Sequence, residues 1–420
     1  MKREMQALMG MLLMAGASGM AATLDQELAA VAADQAMPLA SLSVLAVRGG
    51  KVHYQFQAGQ RRIGAAAAPA NADTMYRIAS ISKMMTTFGV MRLIEQHLLE
   101  LDTDVGHYLG YALRNPHYPD RPITLRMLLT HTSSLRDGAG YFWGAEVAIR
   151  DQLTSGAPGM WASEAGPGDY FMYTNLNWGV IGTIMEKVSG ERFDRLMKRL
   201  LLDPMGLRGG YNPSEFTAED LDNVATLYRK RTVDTEVWNP GGPWIAQVDD
   251  YSVRPPAAPA NVATYVIGSN GTLFSPTGGL RISAADLGKV MLMLIQHGRY
   301  QDRQILQPES VTLMFSQQWK HNGSNGDTYR GLYQSWGLGN QRFGRGRLVE
   351  GGGFNAAGHL GDAYGLISTF VVDLQHGNGM VSLIGGTGTD PDSNPGRYSA
   401  MTRSEERILT ALYRHAILGR

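Results

Sequence analysis

The 420-residue chain contains no cysteine. A thiol nucleophile, a disulfide, an iron–sulfur cluster and a cysteine-based zinc site are therefore all excluded. The chain also lacks an excess of charge of either sign, because 38 Lys and Arg residues balance 38 Asp and Glu residues. A basic surplus is typical of proteins that bind nucleic acid or anionic membranes, so we expect neither partner.

Motifs that would indicate a cofactor are missing as well. The sequence has no Gly-x-x-x-x-Gly-Lys-Ser/Thr phosphate loop, no Gly-x-Gly-x-x-Gly fingerprint opening a helix and no His-Glu-x-x-His zinc motif. No serine lies in the Gly-x-Ser-x-Gly nucleophile elbow of α/β-hydrolases. We therefore expect neither a metal nor an organic cofactor.

The N-terminus has the pattern of an export signal. Lys2 and Arg3 precede an apolar stretch over residues 5–20, and Gly19-Met20-Ala21 supplies the small residues of a cleavage site. We interpret residues 1–21 as a secretory signal peptide and expect a periplasmic or secreted protein; the alternative is a buried N-terminal helix. Because no later run reaches 18 apolar residues and no cysteine stands at the cleavage site, we expect no membrane anchor.

Strand patterns lie near both ends of the chain, and helical patterns fill the middle. Two hairpins are predicted, one over 43–56 around Gly49-Gly50 and one over 366–384. Residues 208–262 have little periodicity. Apolar spacing predicts helices over 24–33, 80–100, 124–129, 176–188, 191–202, 283–297 and 404–418.

This order of elements predicts an α+β fold. An antiparallel β-sheet built from both ends of the chain would be flanked by the N-terminal and C-terminal helices and would carry a mostly helical inserted lobe. Residues 22–420 would form one module, with the sheet lobe over about 22–80 and 270–420 and the helical lobe over about 81–269. A cleft between two such lobes is a usual place for an active site.

Ser80-Ile81-Ser82-Lys83 is the only Ser-x-x-Lys in the chain, and it begins the most strongly helical segment. Positions i and i+3 share one helix face, so the Lys83 amine can reach the Ser80 hydroxyl. A serine hydroxyl is a weak nucleophile until a base takes its proton. Lys83 could be that base if burial lowers its pKa. Alternatively, a charged Lys83 could keep a neighbouring phenolate ionised.

Two further short motifs carry polar groups suited to a cleft. Tyr173-Thr174-Asn175 follows a Gly/Pro-rich stretch and precedes a helix, so Tyr173 could act as an acid or base and Asn175 could bind a substrate amide. His359-Leu360-Gly361 lies in a glycine-rich stretch before a strong strand. A competing His321-Asn322-Gly323 lies in a polar loop, and we consider it the weaker candidate.

These three motifs, in this order, resemble those of the serine β-lactamase and penicillin-binding hydrolase superfamily. The closest branch contains class C β-lactamases, DD-peptidases and family VIII esterases. Supporting stretches are similar to those of the branch, and the resemblance extends over about residues 40–415. These stretches are Leu128-Leu129-Thr130-His131-Thr132-Ser133, Leu202-Asp203-Pro204-Met205-Gly206-Leu207 and Gly278-Gly279-Leu280-Arg281-Ile282-Ser283.

The resemblance implies acyl transfer without a cofactor. Ser80 would attack an ester, amide or lactam carbonyl of a small molecule or peptide, and Lys83 and Tyr173 would move the proton. Asn175, His359, Gly361 and Asp362 would contribute to substrate binding. The N–H groups of Ser80 and Asp362 would form the oxyanion hole, which typically contributes about 3–4 kcal/mol per donor.

The third motif departs from that of class C β-lactamases, which usually carry Lys-Thr-Gly there. A neutral His359 would hold a substrate carboxylate less well, and the Asp362 carboxylate would disfavour anionic substrates if it points inward. The sequence therefore favours an esterase or a D-stereospecific peptidase. A DD-carboxypeptidase or β-lactamase is the alternative within the class, and a catalytically inactive binding protein on the same scaffold is the alternative outside it.

Overall fold

The computed structural model describes residues 23–233, 235–344, 346 and 348–420. The predicted signal peptide, residues 1–21, lies outside the described residues. The helices are α1 (23–32), α2 (Ile81–Glu95), α3 (Gly106–Leu109), α4 (Leu125–Leu129), α5 (Ile149–Thr154), α6 (Leu176–Ser189), α7 (Phe193–Met197), α8 (Asp203–Met205), α9 (Ala218–Asn223), α10 (Ala284–Ile295), α11 (Pro308–Phe315) and α12 (Arg403–Ala411). π-Helical turns follow α7 and α12, over Lys198–Leu202 and Leu412–Ile417.

The strands belong to one large sheet and three small ones. The large sheet has nine strands in the order β10-β11-β12-β13-β14-β15-β1-β2-β3, all paired antiparallel. The strands are β1 (Ser41–Arg48), β2 (Lys51–Arg62), β3 (Ala68–Pro69), β4 (Met75–Arg77), β5 (Leu227–Lys230), β6 (Trp244–Val248), β7 (Arg281–Ser283), β8 (Arg299–Tyr300), β9 (Arg303–Gln304), β10 (Trp319–Lys320), β11 (Ser335–Trp336), β12 (Gln341–Gly344), β13 (Ala356–Ala363), β14 (Leu366–Asp373), β15 (Asn378–Ile384) and β16 (Gly386–Thr387).

Both predicted hairpins are confirmed, and they are joined at the centre of the large sheet. β1 pairs with β2 through the Gly49-Gly50 turn, where both glycines have positive φ, as a tight two-residue hairpin requires. β1 also pairs with β15, so the first and last thirds of the chain share a sheet. The α+β prediction, with a sheet built from both ends of the chain, is confirmed.

Both faces of the central strand β1 are buried, which explains its continuous apolar sequence. Alternate residues of β1 face opposite layers. Val44 and Ala46 pack with Leu28 of α1 and Leu409 of α12, so the two terminal helices cover one face as expected. Leu45 belongs to the larger core on the other face, which extends through α10, α2 and α6.

Several elements differ from the sequence prediction. The helix predicted over 80–100 ends at Glu95, because His97 takes a left-handed conformation with φ of 58° and Leu98 N–H returns to Leu93 O. The stretch 208–262 contains helix α9 and strands β5 and β6. Local spacing missed these strands because β5 is held by pairing with the distant strand β16.

The described residues include no helix long and apolar enough to cross a membrane. The boundaries proposed for the sheet lobe and the helical lobe remain predictions.

Candidate active site

Ser80 stands at the N-terminus of α2, where a short, strained connection delivers it. β4 pairs with β7, and the N–H of Ile78 continues this ladder to Leu280 O at 2.9 Å. Ala79 then takes a φ of 47°, which is unusual for a residue with a side chain. The chain turns sharply at Ala79, and Ser80 is the N-cap residue of α2.

The Lys83 side chain lies directly behind Ser80 and is fully buried. Its Nζ donates to Ser80 Oγ at 2.9 Å, to Asn175 Oδ1 at 2.8 Å and to Thr277 O at 3.0 Å. No carboxylate of the described residues lies within ion-pair distance of this amine. Burial therefore lowers the pKa of Lys83 to about 7, although the more distant charge of Asp137 opposes the shift.

Tyr173 closes the other side of the nucleophile. It lines the same cavity as Ser80, and Lys83 Nζ lies 4.9 Å from the centre of its ring. Desolvation by the packed surroundings raises the pKa of Tyr173 well above its usual value, and the nearby Tyr333 adds to the shift. The Tyr173 phenol is therefore neutral at physiological pH. The raised pKa does not favour the alternative in which a charged Lys83 keeps this tyrosine ionised.

Both polar atoms of the Asn175 amide are hydrogen-bonded to protein groups. Its Oδ1 accepts from Lys83 and from Thr277 Oγ1, and its Nδ2 donates to Asp137 Oδ2 at 2.9 Å. Asp137 also accepts from the backbone N–H groups of Asn175 and Leu176, so it holds the start of α6. The structure shows Asn175 in contact with Lys83, and a direct contact with substrate remains a prediction.

Asp137 and Thr277 escaped the sequence analysis because each lies in a loop without a recognisable motif. Asp137 is 38 residues from Asn175, and Thr277 is 102 residues from it. A carboxylate that caps a distant helix leaves no local pattern in the sequence. The fold alone brings these groups to Lys83.

Strand β13 passes next to the nucleophile at Gly361. A Cβ atom on Gly361 would lie 2.7 Å from Ile78 O and 3.0 Å from Ser80 N, so only glycine permits this approach. Among the described residues, no acceptor is hydrogen-bonded to the Ser80 N–H. Gly361 therefore brings the β13 backbone to the side of Ser80 where the resemblance expects the oxyanion hole.

His359 and Asp362 lie on β13 but have opposite environments. His359 is only 3% exposed, and its ring centre lies 6.2 Å from that of Tyr173. Burial lowers the pKa of His359 to about 3, so its imidazole is neutral. His359 is not among the residues that line the cavity at Ser80, and a contact between His359 and the substrate remains a prediction. Asp362, in contrast, is exposed and lines that cavity. The competing His321 belongs to a separate surface depression.

The cavity at Ser80 has a volume of about 230 Å³ and is open on one side. Catalytic candidates line its base, and residues from two late segments of the chain form the opposite wall. The residues that line the cavity include Ser80, Tyr173, Tyr329, Arg330, Tyr333, Leu360, Gly361, Asp362, Ile367, Asp392 and Glu405.

His131 also belongs to the site. It lies in the family-like stretch 128–133, but the sequence alone assigns it no role. Its ring is 1% exposed and stacks on the Tyr173 ring, with centres 4.4 Å apart and planes at 26°. Its Nδ1 accepts from the Thr174 N–H at 2.9 Å. Burial lowers the pKa of His131 far below its usual value, so it is a neutral support under the Tyr173 phenol.

A serine at a helix start beside an antiparallel sheet, with its hydroxyl hydrogen-bonded to a buried lysine and a tyrosine in the same cavity, is the arrangement expected of a serine hydrolase of the β-lactamase type. The Beta-lactamase family model matches residues 24–401. The chain belongs to this family of serine hydrolases, and the expectation of an enzyme is confirmed.

Individual relatives have diverse activities. Penicillin-binding protein 4* of Bacillus subtilis is 28% identical over 197 residues, which cover 44% of this chain and 41% of that protein. Lovastatin esterase of Penicillium rubens is 26% identical over 287 residues, which cover 59% of this chain and 61% of that protein. The chain thus matches about two fifths to three fifths of the length of these relatives.

A solved structure supports the fold over almost the whole chain. EstCE1, described as a hydrolase with promiscuous acyltransferase activity, matches with a TM-score of 0.65 at 22% identity. The match covers 94% of this chain and 99% of that chain. At this identity the likeness establishes the fold and not the substrate.

Two substitutions at His131 separate its two contacts. His131→Asn keeps an acceptor near Thr174 and tolerates a φ of 58°, but it removes the ring under Tyr173. We expect kcat for a Ser80-dependent ester substrate to fall about tenfold to hundredfold with little change in KM, because small misplacements of a catalytic group are costly.

His131→Phe is the matched control, because it keeps a ring and loses the acceptor. Leaving the Thr174 N–H unpaired should lower the free energy of unfolding by about 1–3 kcal/mol, with a smaller loss of kcat. Steady-state kinetics and thermal unfolding of both variants provide the test. A His131→Asn protein with wild-type kcat would contradict the positioning role.

Proposed function

We propose that the protein is an exported serine hydrolase that cleaves ester or amide bonds through a covalent acyl-enzyme on Ser80. The observation that carries the proposal is the 2.9 Å hydrogen bond from a fully buried Lys83 amine to Ser80 Oγ. A lysine in this environment is suited to act as a base near neutral pH. Export is inferred from the signal-like residues 1–21 and would make the protein periplasmic or secreted.

In the proposed acylation, the neutral Lys83 amine takes the Ser80 proton while Ser80 Oγ attacks the substrate carbonyl. A tetrahedral intermediate forms, and its oxyanion is held by the N–H groups of Ser80 and Asp362. Tyr173 donates its phenolic proton to the leaving alcohol or amine and is reprotonated from Lys83. Water then attacks the Ser80 ester, releases the acid product and returns the proton to Ser80.

The residues of the third motif, His359-Leu360-Gly361, favour esters and amides over β-lactams as substrates. No lysine stands at position 359, and the imidazole there is buried and neutral. A substrate carboxylate would therefore lack a cation from this motif. Asp362 does not add to this effect, because its side chain lies on the face of β13 opposite to the Gly361 contact with Ser80. The similarity to a lovastatin esterase supports the esterase side of the proposal. Because a penicillin-binding protein is also among the relatives, a DD-carboxypeptidase or β-lactamase activity is the second candidate.

The first prediction concerns the nucleophile. The protein without residues 1–21 should hydrolyse a short-chain p-nitrophenyl ester, and Ser80→Ala should abolish this activity while keeping the same thermal unfolding curve. Intact mass after incubation with benzylpenicillin distinguishes the two candidates. Neither an adduct nor loss of the drug is expected from an esterase, whereas a Ser80-dependent adduct or drug hydrolysis would favour the penicillin-interactive candidate. Full activity in Ser80→Ala would contradict both candidates.

The second prediction concerns the proton carriers. Lys83→Ala removes the proposed base, and Tyr173→Phe removes the proton donor while keeping the ring that stacks on His131. Each should lower kcat by at least about 100-fold, in the range typical for loss of general acid–base catalysis. Kinetics with the same ester, together with circular dichroism to verify folding, provide the measurement. A normal rate in either variant would rule out the role assigned to that residue.

The third prediction is a pH dependence. Because burial lowers the pKa of Lys83 to about 7, and because only the unprotonated amine is a base, kcat/KM for a neutral ester should rise with pH and level off above about 7. The profile is measured from about pH 5 to about pH 9. His359 does not produce this rise, since burial lowers its pKa to about 3, and burial also lowers the pKa of His131 well below its usual value.

Glu405 is the control for that profile, because burial raises its pKa to about 7 as well and it lines the same cavity. Glu405→Gln should retain the rising limb. If the limb disappears in this variant, or if the wild-type rate is constant over the whole range, Lys83 is not the base.

A further inference from the structure

We propose that Asp137 is a positioning residue for the reaction, and that its carboxylate fixes which way the Asn175 amide faces. In the observed orientation the amide carbonyl accepts from Lys83, so the neutral amine keeps its lone pair for the Ser80 proton. The inference rests on the proposed function, because it assumes that Lys83 is the base. Asp137 acts through Asn175 and not through a contact with the reacting atoms.

An asparagine amide can face its neighbours in two ways, which exchange a carbonyl oxygen for an NH2 group. Asn175 Oδ1 accepts from Lys83 Nζ at 2.8 Å and from Thr277 Oγ1 at 2.9 Å. These two partners do not fix the orientation, because a neutral amine and a hydroxyl can each accept as well as donate. With the amide turned, its NH2 group would donate to the Lys83 nitrogen and occupy the lone pair that the serine requires.

The Asp137 carboxylate decides between the two orientations, because a carboxylate can only accept. Asn175 Nδ2 donates to Asp137 Oδ2 at 2.9 Å. With the amide turned, two acceptor oxygens would face each other without a proton between them, which is unfavourable. The carboxylate therefore holds the NH2 group towards itself and the carbonyl oxygen towards Lys83.

Asp137 also takes over the capping of α6. Asn175 is the N-cap residue of this helix, and an asparagine there usually accepts from an N–H group of its own helix. The Asn175 side chain makes no such bond. Asp137 instead accepts from the backbone N–H groups of Asn175 at 2.8 Å and Leu176 at 2.9 Å. The Asn175 amide is thereby left to face Lys83.

The backbone on both sides of Asp137 is tied to a neighbouring segment. Arg136 N–H donates to Met160 O at 2.9 Å, and Gly138 N–H donates to Gly159 O at 3.1 Å. A Cβ atom on Gly138 would lie 2.8 Å from Gly159 O, so glycine permits this close approach. The carboxylate therefore reaches the start of α6 from a fixed position.

The charge of Asp137 is the second way in which it acts on Lys83. The titratable groups around the amine are Asp137, Tyr173, His131 and His359. Burial keeps the phenol and both imidazoles neutral. Burial lowers the pKa of Lys83 to about 7, and the Asp137 charge opposes that shift. Removal of this charge therefore lowers the pKa of Lys83 further.

The experiment is the Asp137→Asn variant, assayed with the short-chain p-nitrophenyl ester over about pH 5 to about pH 9. The new amide can donate where the carboxylate only accepted, so the turned form of Asn175 becomes favourable. We expect kcat to fall about tenfold to hundredfold, because the base is partly occupied. The rise of kcat/KM should move to lower pH by about one unit, since a charge that favours the ammonium form is gone.

Glu186→Gln is the matched control. Glu186 lies on α6 as well, and its buried carboxylate accepts from the backbone N–H groups of Phe193 and Gly268, both at 2.8 Å. It is not a partner of Lys83. Its loss weakens the fold around the same helix, but the rise of kcat/KM should stay at the wild-type pH.

A second variant exchanges the two groups by combining Asp137→Asn with Asn175→Asp. The pair again matches a donor with an acceptor, but the carboxylate now faces Lys83. A carboxylate in direct contact favours the ammonium form, so the rise of kcat/KM should move above the wild-type pH. The exchange variant provides the test if Asp137→Asn alone does not fold.

A loss of packing alone would lower kcat without moving the pH of the rise. The inference is wrong if Asp137→Asn keeps the wild-type kcat, if its rise stays at the wild-type pH, or if Glu186→Gln moves the rise equally. The same holds if the exchange variant does not move the rise upwards. In each case, Ser80-dependent hydrolysis by the wild-type protein would still support the proposed function. If Ser80→Ala hydrolyses the ester as fast as the wild type, the proposed function itself fails.

Discussion

A lysine amine buried without a carboxylate partner is the constraint on which the site depends. Removing an ammonium group from water is costly unless polar groups replace its hydration. Lys83 receives three such groups, from Ser80, Asn175 and the Thr277 carbonyl. The backbone of Lys83 is held too, because Trp178 Nε1 donates to its carbonyl oxygen at 3.0 Å. Asn175 Oδ1 and the Thr277 carbonyl can only accept, so they use the two N–H bonds of a neutral amine and leave its lone pair for the Ser80 hydroxyl proton.

The large sheet supplies the second half of the site through a contact that tolerates no side chain. Gly361 brings β13 against the loop that precedes Ser80. Ser368 on the neighbouring strand donates to Ile78 O at 3.0 Å and ties that loop to the sheet. Because β14 and β15 are anchored on β1, strands from both ends of the chain hold the nucleophile and the β13 backbone in register.

The elements predicted best are those with strong local signals. The hairpin around Gly49-Gly50 follows from a turn that requires positive φ, and the helix α10 begins at Ser283, whose hydroxyl accepts from Asp286 N–H. The strands β5 and β6 were missed because they lie in a stretch with little periodicity, and β5 gains its second partner only from the distant strand β16. The cavity could not be anticipated either, since residues 329–333 and 391–405 meet Ser80 and β13 only in the folded chain.

The sequence by itself determined the fold class, the family resemblance and the identities of Ser80, Lys83 and Tyr173, because helix spacing and short motifs are encoded locally. Only the tertiary structure decided the electrostatic state of the site. The burial of Lys83, the neutral state of His359 and the contact of the His131 ring with Tyr173 all depend on which distant segments pack together. Desolvation and charge proximity are properties of the packed molecule, and no local pattern of residues specifies them.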